Sequence, residues 1–129
     1  MYVMTEEEFE LAVESALEEI PDRFIRSMEN VVVTVADEPD EEQLACRDVF
    51  GAEVCDDELL GLYDGLPLTE RGVWYGEGDM PDVITIFKGP HERCFQERDA
   101  ILEEVRKTVI HEVGHYFGND EAMLEEMGY

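Results

Sequence analysis

The 129-residue chain reads as an α+β fold in one domain, 1–129. Three observations carry this. Apolar residues recur at helical spacing near the start of the chain. They do so again over 98–117. Between these stretches stand three short runs, 31–35, 59–63 and 82–87, with the β-branched or continuous apolar character of strands.

Taken in order, Thr5 followed by Glu8 is a capping-box pair. Phe9, Ala12, Val13, Ala16, Leu17 and Ile20 then line one helix face, and Pro21 closes the helix. Phe24, Ile25 and Met28 follow in a short connection as partly buried candidates. The run at 31–35, bounded by Asn30 and Asp37, predicts a strand. The charge run at 37–42 is expected to be a loop, and 43–58 reads mainly as loop with room for a short helical turn. The run at 59–63 predicts a second strand. Asp64-Gly65 is a two-residue hairpin signal, and Pro67 keeps 66–75 at a sheet edge. The run at 82–87 is a strand apolar on both faces at its centre, ended by Gly89-Pro90. Over 98–117 a long helix places Leu102, Val105, Val109, Val113 and Tyr116 or Phe117 in the core stripe. Ile101, Thr108, His111 and His115 fall on the adjacent face. Ala122, Met123, Leu124 and Met127 predict a last short helix packing back on the core.

An apolar fraction of 44% is enough for a core. The charge is the unusual quantity. Thirty-four acidic residues stand against nine basic ones, a formal net charge of −25. Binding to phosphate backbones or anionic membranes through a basic surface is thereby disfavoured, so neither nucleic acid nor membrane is an expected partner. The start of the chain lacks the pattern of a signal peptide, and no apolar stretch nears the ~18 residues of a membrane span. Cys46, Cys55 and Cys94 form no CxxC pair and read as reduced thiols, hence a cytoplasmic setting. A second zinc site built from Cys46, Cys55, His91 and Cys94 fits no common ligand spacing.

The chemistry concentrates in HEVGH at 111–115. Residues four apart on a helix share a face, so His111 and His115 can both turn an imidazole to one metal ion. Glu112 lies about 100° round the helix, beside the metal rather than on it, where it can take a proton. This pattern recurs in zinc peptidases for that reason. Gly118 is placed to end the helix and turn the chain back. A longer zinc motif has its third ligand three residues beyond such a glycine, which is Glu121 here. Asp120, one residue earlier, is the reserve. The bland alternative is a helix carrying these residues as a solvated face.

The chain resembles the small bacterial minimal zincin metallopeptidase family. The likeness rests on GLYDGLPLTERG at 61–72, PDVITIFKGP at 81–90, EVRKTVIHEVGHYFG at 104–118 and LEEMGY at 124–129. The resemblance implies a compact zincin-like domain, a small mixed sheet packed against an N-terminal helix and the HExxH helix. It also implies zinc held by His111, His115 and the carboxylate three residues after Gly118, with Glu112 as catalytic base. Family members often carry Asp at that third position, where this chain has Glu121.

Two imidazoles and a carboxylate leave zinc an open fourth position, and water bound there falls to a pKa of about 7. The expected activity is therefore a zinc-dependent metallopeptidase, with Glu112 accepting the water's proton as it attacks a peptide carbonyl and passing it to the leaving amine. The expected substrate is a flexible peptide or unfolded protein, because a shallow site is expected, without a second subdomain to deepen the cleft. It could be held as an added strand along 66–75 or 82–87. Tyr63, Tyr75 and Tyr129 are candidate oxyanion donors. A non-catalytic metal-binding or protein-interaction module with a vestigial zinc site is the alternative. An acidic mimic that docks on a basic partner is a third reading.

Overall fold

The computed structural model describes residues 2–28, 30–46, 52–65 and 81–117. Helix α1 spans Glu6–Glu18, capped by the Thr5 side chain, which accepts from the Glu8 backbone N–H at 3.1 Å. Only this half of the expected capping box forms. The Glu8 carboxylate instead accepts from the Tyr2 hydroxyl at 2.8 Å and from Arg98 Nε at 3.0 Å. Pro21 opens a further helix rather than a plain connection: α2 spans Asp22–Ser27, with Pro21 at its N-cap.

Strand β1, Val31–Ala36, follows. Part of the charge run is not a loop. Asp40 caps α3, Glu41–Leu44, in a reciprocal box with Gln43, its side chain accepting from the Gln43 N–H at 2.8 Å. Strand β2, Ala52–Cys55, was not expected; it lies in the stretch read as loop. It turns into β3, Glu58–Asp64, through Asp56 and Asp57, whose φ angles are 47° and 67°. Two consecutive left-handed residues are what a two-residue type I′ hairpin needs, and Asp tolerates that region better than most side chains. Residues 66–80, including the expected edge at 66–75 and the far side of the Asp64-Gly65 turn, lie outside the described residues.

Strand β4, Asp82–Phe87, completes the sheet. The order is β1-β4-β3-β2, with β4 parallel to β1 and antiparallel to β3, and β3 antiparallel to β2. Among the described residues β4 is therefore paired on both sides, as its continuous burial requires. It cannot accept an added peptide strand, which corrects the expectation that 82–87 could be a free edge. The described edges are β1 and β2.

Gly89 and Pro90 do follow the end of β4, but inside a helix. Helix α4, Lys88–Cys94, starts at once, with Pro90 in its first turn where no helical N–H is needed. Its Arg93 forks onto two chain segments, pairing with Glu38 at 2.7 Å and with Glu58. Helix α5, Arg98–Tyr116, is the longest element.

One core joins α1, α5 and the sheet: Phe9, Val13, Ala16 and Ile20 from α1, Tyr63, Ile84 and Ile86 from the sheet, and Ile101, Val105, Val109, Ile110 and Val113 from α5. The buried part of α5 is wider than one stripe. Ile101 and Thr108, expected beside the stripe, are fully enclosed, whereas Leu102 is only partly buried. The helix has α1 on one side and β3 and β4 on another, so two of its faces lose contact with water. The result is a compact α+β fold with a small mixed sheet.

Candidate metal centre

Helix α5 comes very close to the sheet at one point, and a glycine makes this feasible. A Cβ at Gly61 would lie 2.6 Å from Thr108 Cγ2 and 3.3 Å from Glu112 Cγ. The first distance is a clash, so a side chain on β3 here would push α5 away. Gly61 is the glycine whose missing side chain leaves room for the helix.

Gly61 also identifies the sheet face that looks towards α5. Its antiparallel partner on β2 is Glu53. Directly opposed residues in an antiparallel pair project to the same face, so Glu53 is aimed at the helix as well. A register shift between Glu53 and Val54 breaks the pairing immediately afterwards, as a bulge does when it re-aims a side chain at a sheet edge.

Three residues offer ligand atoms that all lie within 4.8 Å of one another: Glu53, Glu112 and His115. His111 is linked to this group through Glu53, whose Oε2 is 3.0 Å from its Nδ1. His115 Nε2 lies 3.7 Å from Glu112 Oε1. Of the four expected site residues, Glu112 and His115 thus stand together and His111 stands at the rim, its side chain 40% exposed. Glu121, with its reserve Asp120, lies outside the described residues. Glu53 was missed by sequence reasoning. Its signal was the short run Ala52–Cys55, separated from Glu58–Asp64 by two aspartates, but a four-residue edge strand without clean alternation is hard to distinguish from loop.

The electrostatics are unusual. Glu112 is fully buried, and neither carboxylate oxygen has a hydrogen-bond partner among the described residues. Burial, reinforced by the neighbouring Glu53 charge, raises its carboxyl to about 9. Burial lowers His115, which keeps that ring neutral. The hydrogen bond to Glu53 raises His111, with burial opposing it. Two carboxylates and a neutral imidazole at this range repel or stay protonated unless a cation joins them. Carboxylate and imidazole donors suit a divalent metal, so the residues present fit one.

One other expectation falls away on geometry. Tyr63 does not offer its hydroxyl to the site, because it donates to the buried Asp82 carboxylate; Tyr75 and Tyr129 lie outside the described residues. His91 is no ligand in a cysteine site either. Its Nδ1–H donates to the Phe87 carbonyl at 2.7 Å, and its Nε2 is 3.1 Å from the Thr108 hydroxyl. Cys46, Cys55 and Cys94 are free thiols. No helix among the described residues is long and apolar enough to cross a membrane.

An HExxH helix laid over a small mixed sheet, with carboxylate and imidazole donors gathered on it, defines a metal-binding α+β protein of the zincin type. The chain belongs to the zincin-like metallopeptidase family, whose sequence profile matches residues 28–129. The solved structure of a conserved hypothetical protein from Thermo thermophilus is similar, with a TM-score of 0.55 and 25% identity, covering 92% of this chain and 98% of that one. No curated protein matches the chain. Membership of this family implies a bound metal, for which Glu53, Glu112 and His115 form a candidate group.

Proposed function

We propose that this protein is a zinc-dependent peptidase in which Glu112 is the general base. The observation that carries the reading is the Glu112 carboxylate, enclosed and unpaired next to His115 on the family's signature helix. An isolated buried carboxylate costs several kcal/mol and is retained where its reactivity is used.

His111 and His115 would hold the zinc, with Glu121 or its neighbour Asp120 as third ligand. When bound, zinc supplies a Lewis acid that polarises a carbonyl and acidifies water. The chain's own contribution is proton handling. Removed from solvent, Glu112 binds a proton avidly, and a nearby cation offsets that tendency and brings it towards neutrality. It can then take a proton from the attacking water and return it to the departing amine. The close seat of α5 on Gly61 fixes where Glu112 sits during both transfers. Flexible peptides and unfolded chains are the substrate class this reading favours. The net charge of −25 would draw in basic ones most strongly.

Replacing Glu112 by Gln tests the reading. Zinc content should stay at the wild-type level, while cleavage of a fluorogenic peptide library falls on the order of 10²–10⁴-fold. One observation favours a second reading, a metal-binding module that cuts nothing: the Glu112 side chain has no exposed surface. Zinc-loaded wild type that cleaves no member of the library would establish that reading instead.

A further inference from the structure

We infer that Glu53 is the positioning residue of the metal centre: it holds the His111 ring by Nδ1 so that Nε2 is left to face the metal. This rests on the proposed role of His111 as a zinc ligand and adds the group that makes the ring competent.

The argument starts from hydrogen-bond chemistry. The Glu53 Oε2 to His111 Nδ1 distance is 3.0 Å. An ionised carboxylate can only accept, so Nδ1 carries the proton and donates. A neutral imidazole has one N–H, and the lone pair is then on Nε2. A metal needs that lone pair, and a carboxylate on the far nitrogen is the usual way a protein fixes the tautomer and the ring orientation.

The need for such a tie is specific to this histidine. His115 is largely enclosed, its side chain 15% exposed, and packing restrains it. His111 is 40% exposed on its side chain and lies at the rim. Without a partner its ring would sample several rotamers, most of them useless for coordination. The tether comes from outside the helix. Glu53 stands on β2 opposite Gly61, and Gly61 is where α5 sits down on the sheet. One pairing register therefore sets both the height of Glu112 over the sheet and the reach of Glu53 to His111. The two-residue turn at Asp56 and Asp57 joins β2 to β3, and the register shift between Glu53 and Val54 then brings Glu53 opposite Gly61.

Glu53 also has an oxygen within 4.8 Å of ligand atoms of Glu112 and His115. Direct ligation by Glu53 is thus the rival to be separated. Zinc alone is the probe, in competition with a chromophoric chelator, on wild type, Glu53→Gln and Glu53→Ala. Gln keeps an oxygen that accepts from Nδ1–H but is a poor metal ligand. The expected result is zinc affinity weakened about 10–100-fold in Glu53→Ala and largely retained in Glu53→Gln. Cobalt-substituted wild type and Glu53→Gln should show the same visible spectrum. Long-range imidazole ¹⁵N NMR of the zinc-free protein supplies a readout independent of metal. It should show the Nδ1–H tautomer of His111 in wild type and Glu53→Gln, and a mixture in Glu53→Ala. If Glu53→Ala does not fold, the Gln variant and the wild-type tautomer decide.

An Nε2–H tautomer in the wild type overturns the inference. So does a Glu53→Gln variant with a changed cobalt spectrum and an affinity as poor as that of Glu53→Ala, since Glu53 would then be a ligand. Tight wild-type binding that Glu53→Ala leaves unchanged sinks this inference alone. Wild type that binds no zinc sinks the peptidase reading along with it.

Discussion

His91 and Glu112 are both fully buried polar side chains, and His91 contacts α5 at Thr108, four residues before Glu112. Their situations are opposite. Both nitrogens of His91 have polar neighbours, the Phe87 carbonyl and the Thr108 hydroxyl, and the ring packs edge-on to Phe9 with ring centroids 5.6 Å apart. Glu112 has neither oxygen satisfied. Burial depresses the imidazole to about 4 and lifts the carboxyl to about 9, so each group stays uncharged at neutral pH in the absence of metal. The difference teaches how to separate structural polar residues from working ones. Burial is common to both; what sets Glu112 apart is the missing partner among the described residues.

The comparison is broken most forcefully at Glu112. Its folded-state pKa lies above the unfolded value of 4.5. Between pH 4.5 and about 9 the folded protein holds a proton the unfolded chain has released, so stability falls as pH rises through that window. At roughly 1.4 kcal/mol per pKa unit, the loss amounts to several kcal/mol in chelator at about pH 8. Glu112→Gln should therefore melt higher than wild type under those conditions, by calorimetry, and the gap should narrow when zinc is added.

His91 should behave the other way. Its folded-state pKa is depressed from 6.5 to about 4. The stability it provides is present above 6.5 and is lost as pH falls through that range, because the unfolded chain takes up a proton first. About 3 kcal/mol is at stake. Replacement by Ala should cost about 3 kcal/mol at neutral pH through the cavity and the unpaired Phe87 carbonyl, flatten the acid limb of a urea-denaturation series, and leave zinc content unaltered.

Gly61 sharpens the contrast from beneath. Gly61→Ala forces a methyl into the Thr108 and Glu112 side chains. We expect a loss of about 1–3 kcal/mol, with weaker zinc binding as well, since α5 and β2 would separate. Chemical denaturation and chelator competition measure the two effects. The smallest change is expected away from both groups. Arg93 joins Glu38 and Glu58 on a partly exposed surface, so Arg93→Ala should cost less than about 1 kcal/mol and leave the metal site as it was.

The α+β class, the two long helices and the strands at 31–36 and 82–87 were legible because each presents a local rule: a capping Thr5, a helical period, a β-branched run. The HExxH helix was legible for the same reason, since residues four apart share a face wherever the helix ends up. What stayed hidden depended on neighbours distant in sequence. Glu8 as half of a capping box was overridden by Tyr2 and Arg98. The stripe on α5 widened because two layers cover it. The hairpin at Asp56 and Asp57 escaped notice because four residues are too few to show a period.

Sequence alone therefore determined the helix that carries His111, Glu112 and His115, together with the family it announces. The tertiary structure decided which other carboxylate joins them. Glu53 is 58 residues from His111, and no local pattern relates the two. Their meeting follows from a cross-strand register and from a glycine that lets α5 settle on the sheet. Registers and close approaches are properties of the packed chain, because only packing determines which distant backbones share a face.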